Sequence, residues 1–363
     1  MLLVLIIMAA LWVLGAVMKA PVRARLMMIG LVYAAVVIAQ LVLPEGAELR
    51  RATGDAPEPW LALGGAGLLG WGYWAVLGRL RTRAGTDRAM QAQGGAAHPS
   101  PDAPFRDAEL TRYARHIVLR EIGGAGQKKL KSARVLVVGA GGLGSPALLY
   151  LAAAGVGTIG VIDDDTVDGS NLQRQVIHTD ARIGMPKVFS AQAALEALNP
   201  FVRIRPYHRR LDAETAPALL ADYDLILDGT DNFDTRYLVN RAAVKAGKPL
   251  IAAAITQWEG QISLYDPARD APCFECVFPQ RPAADLAPDC AEAGVVGPLP
   301  GVLGSMMALE AIKEIAGAGT GLRGRLMIWD ALHADTRTIG VARRPGCACC
   351  GTVDGGAPAE RGS

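Results

Sequence analysis

A glycine-rich turn in the middle of the chain joins a β-branched run to an alanine-rich stretch. Residues 133–138 read Ala-Arg-Val-Leu-Val-Val, residues 139–144 read Gly-Ala-Gly-Gly-Leu-Gly, and the alanine-rich stretch reaches Ala154. Strand, glycine turn and helix in this order are the context that the nucleotide-binding pattern G-x-G-x-x-G requires. Glycines let the backbone approach a phosphate, and the helix N-terminus supplies N–H donors and the positive end of a dipole. The segment predicts a βα unit that binds a phosphate-containing ligand; a glycine turn without a ligand is the alternative.

The strands predicted around this turn define the fold class. Residues 158–162 form a second β-branched run followed by Asp163, nineteen residues after Gly144. This is close to the spacing of about 20 residues at which a carboxylate binds a ribose hydroxyl. Further strands are predicted at 225–227, 250–255, 261–265 and 325–329. The sequence therefore predicts an α/β fold with a Rossmann-like, mostly parallel sheet.

Amide and cationic side chains follow the candidate ribose carboxylate and favour a triphosphate ligand. Residues 170–175 read Ser-Asn-Leu-Gln-Arg-Gln, and Lys187 follows in Gly-Met-Pro-Lys. A pyrophosphate at a helix N-terminus does not require Arg174 and Lys187, whereas a reacting triphosphate needs positive charge where its leaving group departs. No Gly-Lys-Ser/Thr follows the glycines, which excludes a P-loop. Since a dehydrogenase would show the same turn and the same Asp163, an NAD-dependent oxidoreductase is the alternative from another enzyme class.

A further carboxylate follows a later predicted strand, in Asp-Gly-Thr-Asp-Asn at residues 228–232. A carboxylate at the carboxyl end of a strand is placed to bind Mg²⁺ against phosphates, with several waters retained on the ion. Asp231 is therefore the candidate magnesium ligand, and Asn232 is a candidate nucleotide contact. A helix N-cap is the alternative role for Asp231.

All six cysteines lie in the last quarter of the chain and are too few for a disulfide scaffold. Cys273-x-x-Cys276 and Cys347-x-x-Cys350 are two pairs separated by seventy residues, and two such pairs commonly converge on one tetrahedral Zn²⁺. Four thiolates leave no open coordination position, so this zinc would be structural. Cys349 could replace one ligand, although the spacing favours Cys347 and Cys350; four inert thiols are the other alternative.

The first eighty residues are strongly apolar and explain a mean hydropathy of +0.23. Residues 1–18, 26–43 and 60–78 carry no charge, and each run is about long enough to cross a hydrocarbon core of about 30 Å as a helix. They predict three transmembrane helices within a membrane region at 1–83. Basic residues after the first and third runs predict a multi-pass protein of the cell inner membrane with a cytoplasmic catalytic domain. A signal peptide and a buried hairpin of a soluble protein are the alternatives.

Composition divides the rest of the chain into three parts. Residues 84–105 are rich in Ala, Gly, Gln, Ser and Pro without apolar periodicity, which predicts a flexible linker. Residues 106–351 form the predicted catalytic domain, and 352–363 a disordered tail. The formal net charge of +2 gives no indication of a nucleic-acid partner.

The motifs together resemble the ThiF/MoeB/HesA family, bacterial relatives of ubiquitin-activating enzymes. The resemblance runs from about residue 108 to 351, and several independent motifs in the same order make it specific. The matching stretches are Arg-Tyr-Ala-Arg at 112–115, the glycine turn, Asp163, residues 170–174, Lys187, Asp231-Asn232, Glu-Ala-Gly-Val at 292–295 and the terminal cysteines. Enzymes of this family use ATP to activate the C-terminal Gly-Gly carboxylate of a small ubiquitin-like sulfur carrier.

The resemblance implies roles for individual residues. The residues expected to bind the nucleotide are Gly139, Gly141, Gly142, Gly144, Asp163, Ser170, Asn171, Leu172, Gln173, Arg174, Lys187, Asp231 and Asn232. Asn171, Arg174 and Lys187 would contact the phosphates, and Asp231 would bind Mg²⁺. Arg115 would reach the γ-phosphate of ATP in a partner subunit, which implies a homodimer with composite sites. The family also carries zinc at the positions of the four paired cysteines.

Cys290 stands apart from the paired cysteines, in Pro-Asp-Cys-Ala-Glu-Ala-Gly. In several relatives a cysteine at this place forms a covalent link to the carrier during sulfur transfer; a buried bystander is the alternative. The chain ends thirteen residues past the last cysteine pair, so a separate protein such as a cysteine desulfurase is expected to supply the sulfur.

The resulting expectation is a membrane-tethered, ATP-dependent adenylyltransferase with ATP, Mg²⁺ and Zn²⁺ as cofactors. The resemblance favours the molybdopterin-synthase small subunit as the carrier, in molybdenum cofactor biosynthesis. The sulfur carrier of the thiamine pathway is the alternative within the family. A membrane-tethered scaffold that binds a nucleotide without turnover is a further alternative.

Overall fold

The computed structural model describes residues 2–18, 21–44, 46–54, 56–70, 72–73, 104–281 and 294–351. The chain divides into two compact units, Met1–Asp87 and Arg88–Ser363. The predicted linker lies outside the described residues except for 104–105, and the predicted tail lies outside them altogether.

The first unit consists of helices packed around one tryptophan. Its helices are α1 (Leu2–Val17), α2 (Val22–Val42), α3 (Glu48–Thr53) and α4 (58–70). Trp60 is 1% exposed and packs with Val4 and Val36. Its indole Nε1 donates to the Thr53 carbonyl at 3.0 Å, and Tyr33 Oη donates to the Trp60 carbonyl at 2.6 Å. Burial of the ring with its N–H satisfied holds the helices of this unit together.

Among the described residues, one helix is long and apolar enough to cross a membrane. It is the nineteen-residue segment Ala24–Val42 of α2, which has a mean hydropathy of 2.0 and is 6% buried. The prediction of three spans is not supported, because Ala24–Val42 is the one segment that qualifies among the described residues and α1 has sixteen residues. A helix rises about 1.5 Å per residue, so α1 falls short of about 30 Å. Most of the third predicted run after residue 70 lies outside the described residues.

The second unit is built on one eight-stranded sheet. Its strands are β1 (Arg134–Val138), β2 (Thr158–Ile162), β3 (Arg203–Tyr207), β4 (Leu225–Asp228), β5 (Leu250–Thr256), β6 (Glu259–Tyr265), β7 (Arg325–Asp330) and β8 (Asp335–Gly340). Their order is β3-β2-β1-β4-β5-β6-β7-β8. The pairs from β3 to β5 are parallel, and those from β5 to β8 are antiparallel. The α/β class with a Rossmann-like sheet is confirmed, and the antiparallel strands extend one side of it.

Two strands were not predicted, and both lie at the edges of the sheet. β3 has one buried residue, Ile204, among exposed and half-buried ones, and every residue of β8 is exposed. An edge strand with little buried surface does not need an apolar run, so its sequence carries a weak signal.

Helices cover both faces of the sheet. They are α5 (Asp107–Ile117), α6 (Gly123–Ser132), α7 (Gly144–Ala154), α8 (Lys187–Leu198), α9 (Ala216–Ala221), α10 (Phe233–Ala246), α11 (Phe274–Val277) and α12 (Pro298–Ala316). On β1, Val135 and Val137 join the core under α7, α8 and α12, whereas Leu136 and Val138 join the core under α9 and α10. This burial on both faces explains the continuous apolar run of β1.

The chain order reverses around β1, which pairs with β2 on one side and β4 on the other. The strands β1 and β4 therefore end side by side at Val138 and Asp228. In open α/β sheets, ligands bind outside the carboxyl ends of the strands at such a reversal. The fold thus brings the glycine turn after β1 next to the Asp-Gly-Thr-Asp-Asn segment after β4.

Candidate nucleotide and metal sites

The glycine turn between β1 and α7 has a backbone that side chains would disrupt. Gly139 has a φ of +93°, which L side chains rarely adopt. A Cβ at Gly144 would lie 1.9 Å from the Gly139 carbonyl oxygen, and a Cβ at Gly142 would lie 3.1 Å from Pro300 Cβ. Gly139 itself lies against the loop after β4, where a Cβ would be 3.2 Å from the Gly229 carbonyl oxygen. The turn is therefore compact and closely flanked by β4 and α12.

Asp163 stands directly after β2 and is bonded to the glycine turn. Its Oδ2 accepts from the Ala140 N–H at 2.8 Å, and its Oδ1 accepts from the Asp165 N–H at 2.9 Å. Burial raises the pKa of Asp163, and the charge of Lys187 opposes that rise. Each carboxylate oxygen has a lone pair left for a further donor, such as a ribose hydroxyl.

Lys187 is the first residue of α8 and is 5% exposed. Its Nζ donates to Asp165 Oδ2 at 2.7 Å, and the Asp165 side chain is 67% exposed. A buried ammonium needs a partner, and here its partner faces solvent. An anionic ligand on the same side could bind this ammonium without opening the protein interior.

Arg174 lies beside the glycine turn. A Cβ at Gly142 would be 3.7 Å from Arg174 Cγ, and Arg174 Nη2 donates to Asn171 Oδ1 at 2.7 Å. The segment before it is a short 3₁₀ turn, Gly169–Asn171, whose Ser170 N–H bonds Asp168 Oδ1 at 2.8 Å. Hydrogen bonds from Ser170 lower the pKa of Asp168. The fold thus places the predicted Asn171–Arg174 pair within reach of a ligand on the turn.

Leu172 and Gln173, also predicted to bind the nucleotide, differ in their exposure. Gln173 is exposed, and Leu172 is half-buried. Their side chains make no polar contact with the glycine turn in the described part of the chain, although a Cβ at Gly297 would lie 2.6 Å from the Gln173 carbonyl oxygen.

Asp231 and Asn232 follow β4, and Asn232 takes the N-cap role that was the alternative for Asp231. Asn232 is the N-cap of α10, because its Oδ1 accepts from the Thr235 N–H at 2.9 Å. The N-cap alternative for Asp231 is therefore wrong. The Asp231 side chain is exposed, at the same edge of the sheet as the glycine turn. An exposed carboxylate there can bind a cation without a cost in buried charge.

Arg115 lies on α5, whose neighbouring residues fix the helix to the domain. Arg112 Nη1 donates to the Leu198 carbonyl at 2.8 Å, and the buried Tyr113 accepts from Asn199 Nδ2 at 2.9 Å. Arg115 is exposed, and no hydrogen bond or ion pair joins it to another described residue. It makes no contact with the glycine turn of its own chain in the described residues.

Four cysteines converge from two distant parts of the sequence. The sulfurs of Cys273, Cys276, Cys347 and Cys350 all lie within 4.8 Å of one another. Cys273 lies 3.7 Å from both Cys276 and Cys347, and Cys276 lies 3.4 Å from Cys350, sulfur to sulfur. A tetrahedral Zn²⁺ with Zn–S bonds of about 2.3 Å sets its sulfurs about 3.8 Å apart. The four sulfurs therefore fit a closed zinc site.

The fifth nearby cysteine lies outside this set. Cys349 Sγ accepts from Asn240 Nδ2 at 3.3 Å, so this thiol is bonded to a side chain of α10. The four-sulfur group contains Cys347 and Cys350, the two that the spacing favours, and their role as ligands stays a prediction. Cys290 lies outside the described residues, and its thiol role stays a prediction.

The sequence analysis missed His178. This histidine is 5% exposed and lies between the glycine turn and α8, with Nε2 2.9 Å from the Ala140 carbonyl oxygen and Nδ1 2.9 Å from Ser190 Oγ. The only sequence signal was a single histidine shortly after Arg174, and a single histidine is usually structural.

A cleft of about 530 Å³ lies along α10 near the cysteine cluster, and the glycine turn is not part of it. Four of its charged residues form two pairs, Arg241 with Glu275 at 2.8 Å and Arg281 with Asp234 at 2.8 Å, and Lys245 also lines it.

The parallel sheet, the glycine turn and the charged groups at its carboxyl edge define a nucleotide-binding α/β domain with a four-cysteine cluster. The sequence model of the ThiF family matches residues 113–349, and the chain belongs to this family.

Two curated relatives and one solved structure place the chain within the family. It is similar to the sulfur carrier protein adenylyltransferase of Thermus thermophilus, with 50% identity over 247 residues that cover 67% of this chain and 91% of that protein. It is also similar to the probable adenylyltransferase/sulfurtransferase MoeZ of Mycobacterium tuberculosis, with 50% identity over 68% of this chain and 63% of that protein. The crystal structure of E. coli MccB with MccA-N7isoASN matches 62% of this chain and 70% of its own at a TM-score of 0.55 and 25% identity.

Proposed function

We propose that the second unit is an ATP-dependent adenylyltransferase that activates the C-terminal carboxylate of a ubiquitin-like sulfur carrier. The observation that carries the proposal is that Asp163 bonds the glycine turn, Arg174 lies beside that turn, and the charge of Lys187 acts on Asp163. The similarity to a sulfur carrier protein adenylyltransferase over 91% of that protein supports it.

The reaction forms an acyl adenylate. An oxygen of the carrier's carboxylate attacks the α-phosphorus of ATP, the bond from that phosphorus to the bridging oxygen breaks, and pyrophosphate leaves with the electron pair. No protein nucleophile is needed, so catalysis rests on positioning two anions and neutralising their charge.

The chain's residues divide that work by position. The glycine turn and the N-terminus of α7 present N–H groups to phosphate, and Asp163 accepts from the ribose. Arg174 and Lys187 supply positive charge for the phosphates, and Lys187 exchanges its bond to the exposed Asp165 for one to the ligand. When bound at Asp231, Mg²⁺ supplies additional charge neutralisation. Asn171 orients Arg174 through their 2.7 Å bond.

The carrier that we favour is the small subunit of molybdopterin synthase, with the thiamine-pathway carrier as the alternative within the family. An NAD-dependent oxidoreductase is less well supported, because Arg174 and the buried Lys187 would have no function beside a dinucleotide. A separate sulfur donor, such as a cysteine desulfurase, completes the scheme.

We also propose a homodimer in which Arg115 acts on the partner subunit's ATP. The exposure of its side chain, which forms no hydrogen bond or ion pair with another described residue, supports this role. The four cysteines bind a structural Zn²⁺, since four thiolates leave no position for a substrate.

The first unit attaches the enzyme to the inner membrane in this proposal. Its support is the apolar segment Ala24–Val42, whose surface is largely exposed. ATP and reduced thiols require the second unit to face the cytoplasm. A reporter fused after Arg83 should therefore behave as cytoplasmic, and a periplasmic signal would overturn this topology.

The test of the proposed activity is ATP–pyrophosphate exchange by the full chain with purified candidate carriers. Exchange that depends on a carrier ending in Gly-Gly supports the proposal, and the carrier that gives the highest kcat/KM identifies the branch. A carrier lacking the final glycine is the matched control. Exchange with neither carrier, from protein that binds ATP, would contradict the proposal.

A further inference from the structure

His178 has no part in the charge neutralisation described above, yet its ring is fully engaged beside the nucleotide site. It is buried between the glycine turn and α8. Because a carbonyl oxygen can only accept, the ring nitrogen 2.9 Å from the Ala140 oxygen, Nε2, carries a proton. Burial lowers the pKa of His178, so the ring is neutral and Nδ1 accepts from the Ser190 hydroxyl.

The peptide groups around Ala140 are held from both sides. Its N–H donates to Asp163 at 2.8 Å, and its carbonyl accepts from His178 at 2.9 Å. Ala140 stands between Gly139, with a φ of +93°, and Gly141. Because glycine allows a wide range of backbone φ and ψ angles, the hydrogen bonds to Ala140 between the two glycines fix the conformation of the turn.

The same ring connects the three segments that carry the nucleotide contacts. His178 follows the segment of Arg174, its Nε2 bonds the glycine turn, and its Nδ1 bonds Ser190, one helical turn after Lys187. Arg182 Nη1 adds a bond to the Ser190 carbonyl at 2.9 Å. A shift of the ring would therefore move the turn relative to both phosphate-binding cations.

We propose that His178 is a positioning residue for the nucleotide, acting through the Ala140 carbonyl to hold the glycine turn against Asp163 and Lys187. The inference rests on the proposed adenylation. Its ring nitrogens are occupied by protein atoms, so it does not itself contact the reacting groups.

The test compares three single variants with the wild-type full chain. His178→Ala leaves the Ala140 carbonyl without its donor, and we expect the Kd and KM for ATP to rise about tenfold, which is about 1.4 kcal/mol. The KM for the carrier should change less than twofold. In His178→Gln the amide nitrogen can replace Nε2 as the donor, and we expect ATP affinity within threefold of wild type. His333→Ala, at the exposed His333 beside Asp330, is the matched control and should match wild type.

A merely structural role gives a different pattern. If His178 only stabilised the fold, His178→Ala would lower the active fraction and kcat with an unchanged KM for ATP, which would overturn the proposal. So would a Gln variant that binds ATP no better than the Ala variant. Calorimetry measures ATP binding without a carrier, so this test stands even if no carrier supports exchange; that failure would count against the proposed function alone.

Discussion

The nucleotide site and the cysteine cluster of the second unit are built in different ways. The nucleotide site gathers groups that follow the ends of adjacent parallel strands, and main-chain atoms such as the Ala140 N–H fix its central carboxylate. The cysteine cluster joins two segments about seventy residues apart in the chain, and thiols contact thiols at 3.4–3.7 Å. The first site is positioned by the sheet, whereas the second brings together four thiols that fit a Zn²⁺ ion. Changes to the first should therefore affect activity, and changes to the second should affect stability.

The largest expected effect is on the nucleotide site. Asp231→Ala should lower carrier-dependent pyrophosphate exchange by about 100-fold or more, because a group that neutralises charge in the transition state contributes about that much. The thermal midpoint should not change, since the side chain is exposed. Asp234→Ala, three residues on and paired with Arg281 at the surface, is the matched control and should stay within twofold. Exchange by Asp231→Ala within threefold of wild type would remove this residue from the mechanism.

Arg115 tests whether the nucleotide site is complete in one chain. Arg115→Ala and Arg174→Ala should each be nearly inactive in exchange. Mixed dimers of the two should recover about a quarter to a half of wild-type activity, because one of their two sites carries both arginines. Differently tagged chains, purified by both tags, verify the heterodimers. Absence of recovery in them would show that Arg115 does not act across subunits.

The cysteine cluster should respond in stability. Cys273→Ser should lose the zinc, measured as about one ion per chain in wild type, and lower Tm by about 5 °C or more. Zinc affinity should also fall as the pH is lowered, because the thiolates must be deprotonated to bind the metal. The Kd for ATP of the remaining folded protein should change less than threefold.

Cys349→Ser is the matched control for that experiment. This thiol bonds Asn240 and lies outside the four-sulfur set, so the variant should keep its zinc and its Tm within about 2 °C. Zinc absent from active wild-type protein, or lost in Cys349→Ser, would refute the four-thiolate site.

The smallest expected effect is that of removing the first unit. A chain that begins at Pro104 should be soluble, dimeric and active, with a kcat within twofold of the full chain. Residues 84–103, which join the two units, have no apolar periodicity with which to pack on the second unit. Flotation with membranes should be lost at the same time. A soluble, folded fragment without turnover would show that the first unit does more than anchor the enzyme.

The local patterns of the sequence were sufficient for the central βα unit. A β-branched run, a glycine turn and an alanine-rich stretch satisfy backbone rules that act within about twenty residues, so the strand, the turn and Asp163 were predicted where they lie. The cysteine pairs were equally readable, because ligand spacing within each pair is local.

Other features depended on contacts that no local pattern encodes. Whether an uncharged run forms a membrane-spanning helix depends on where the helix begins and ends and on how much of it is buried in the protein. Among the described residues, only Ala24–Val42 is long and apolar enough. Asn232 rather than Asp231 caps α10, because the helix begins at Phe233.

The sequence by itself determined the α/β class, the glycine turn, the carboxylate after β2 and the two cysteine pairs, since each follows from short-range geometry. The tertiary structure decided which side chains meet. It placed Lys187 beside Asp165, Arg174 beside Gly142 and His178 between Ala140 and Ser190. These contacts join segments that are distant in the chain, and only the packing of α8 and the loops on the sheet brings them together.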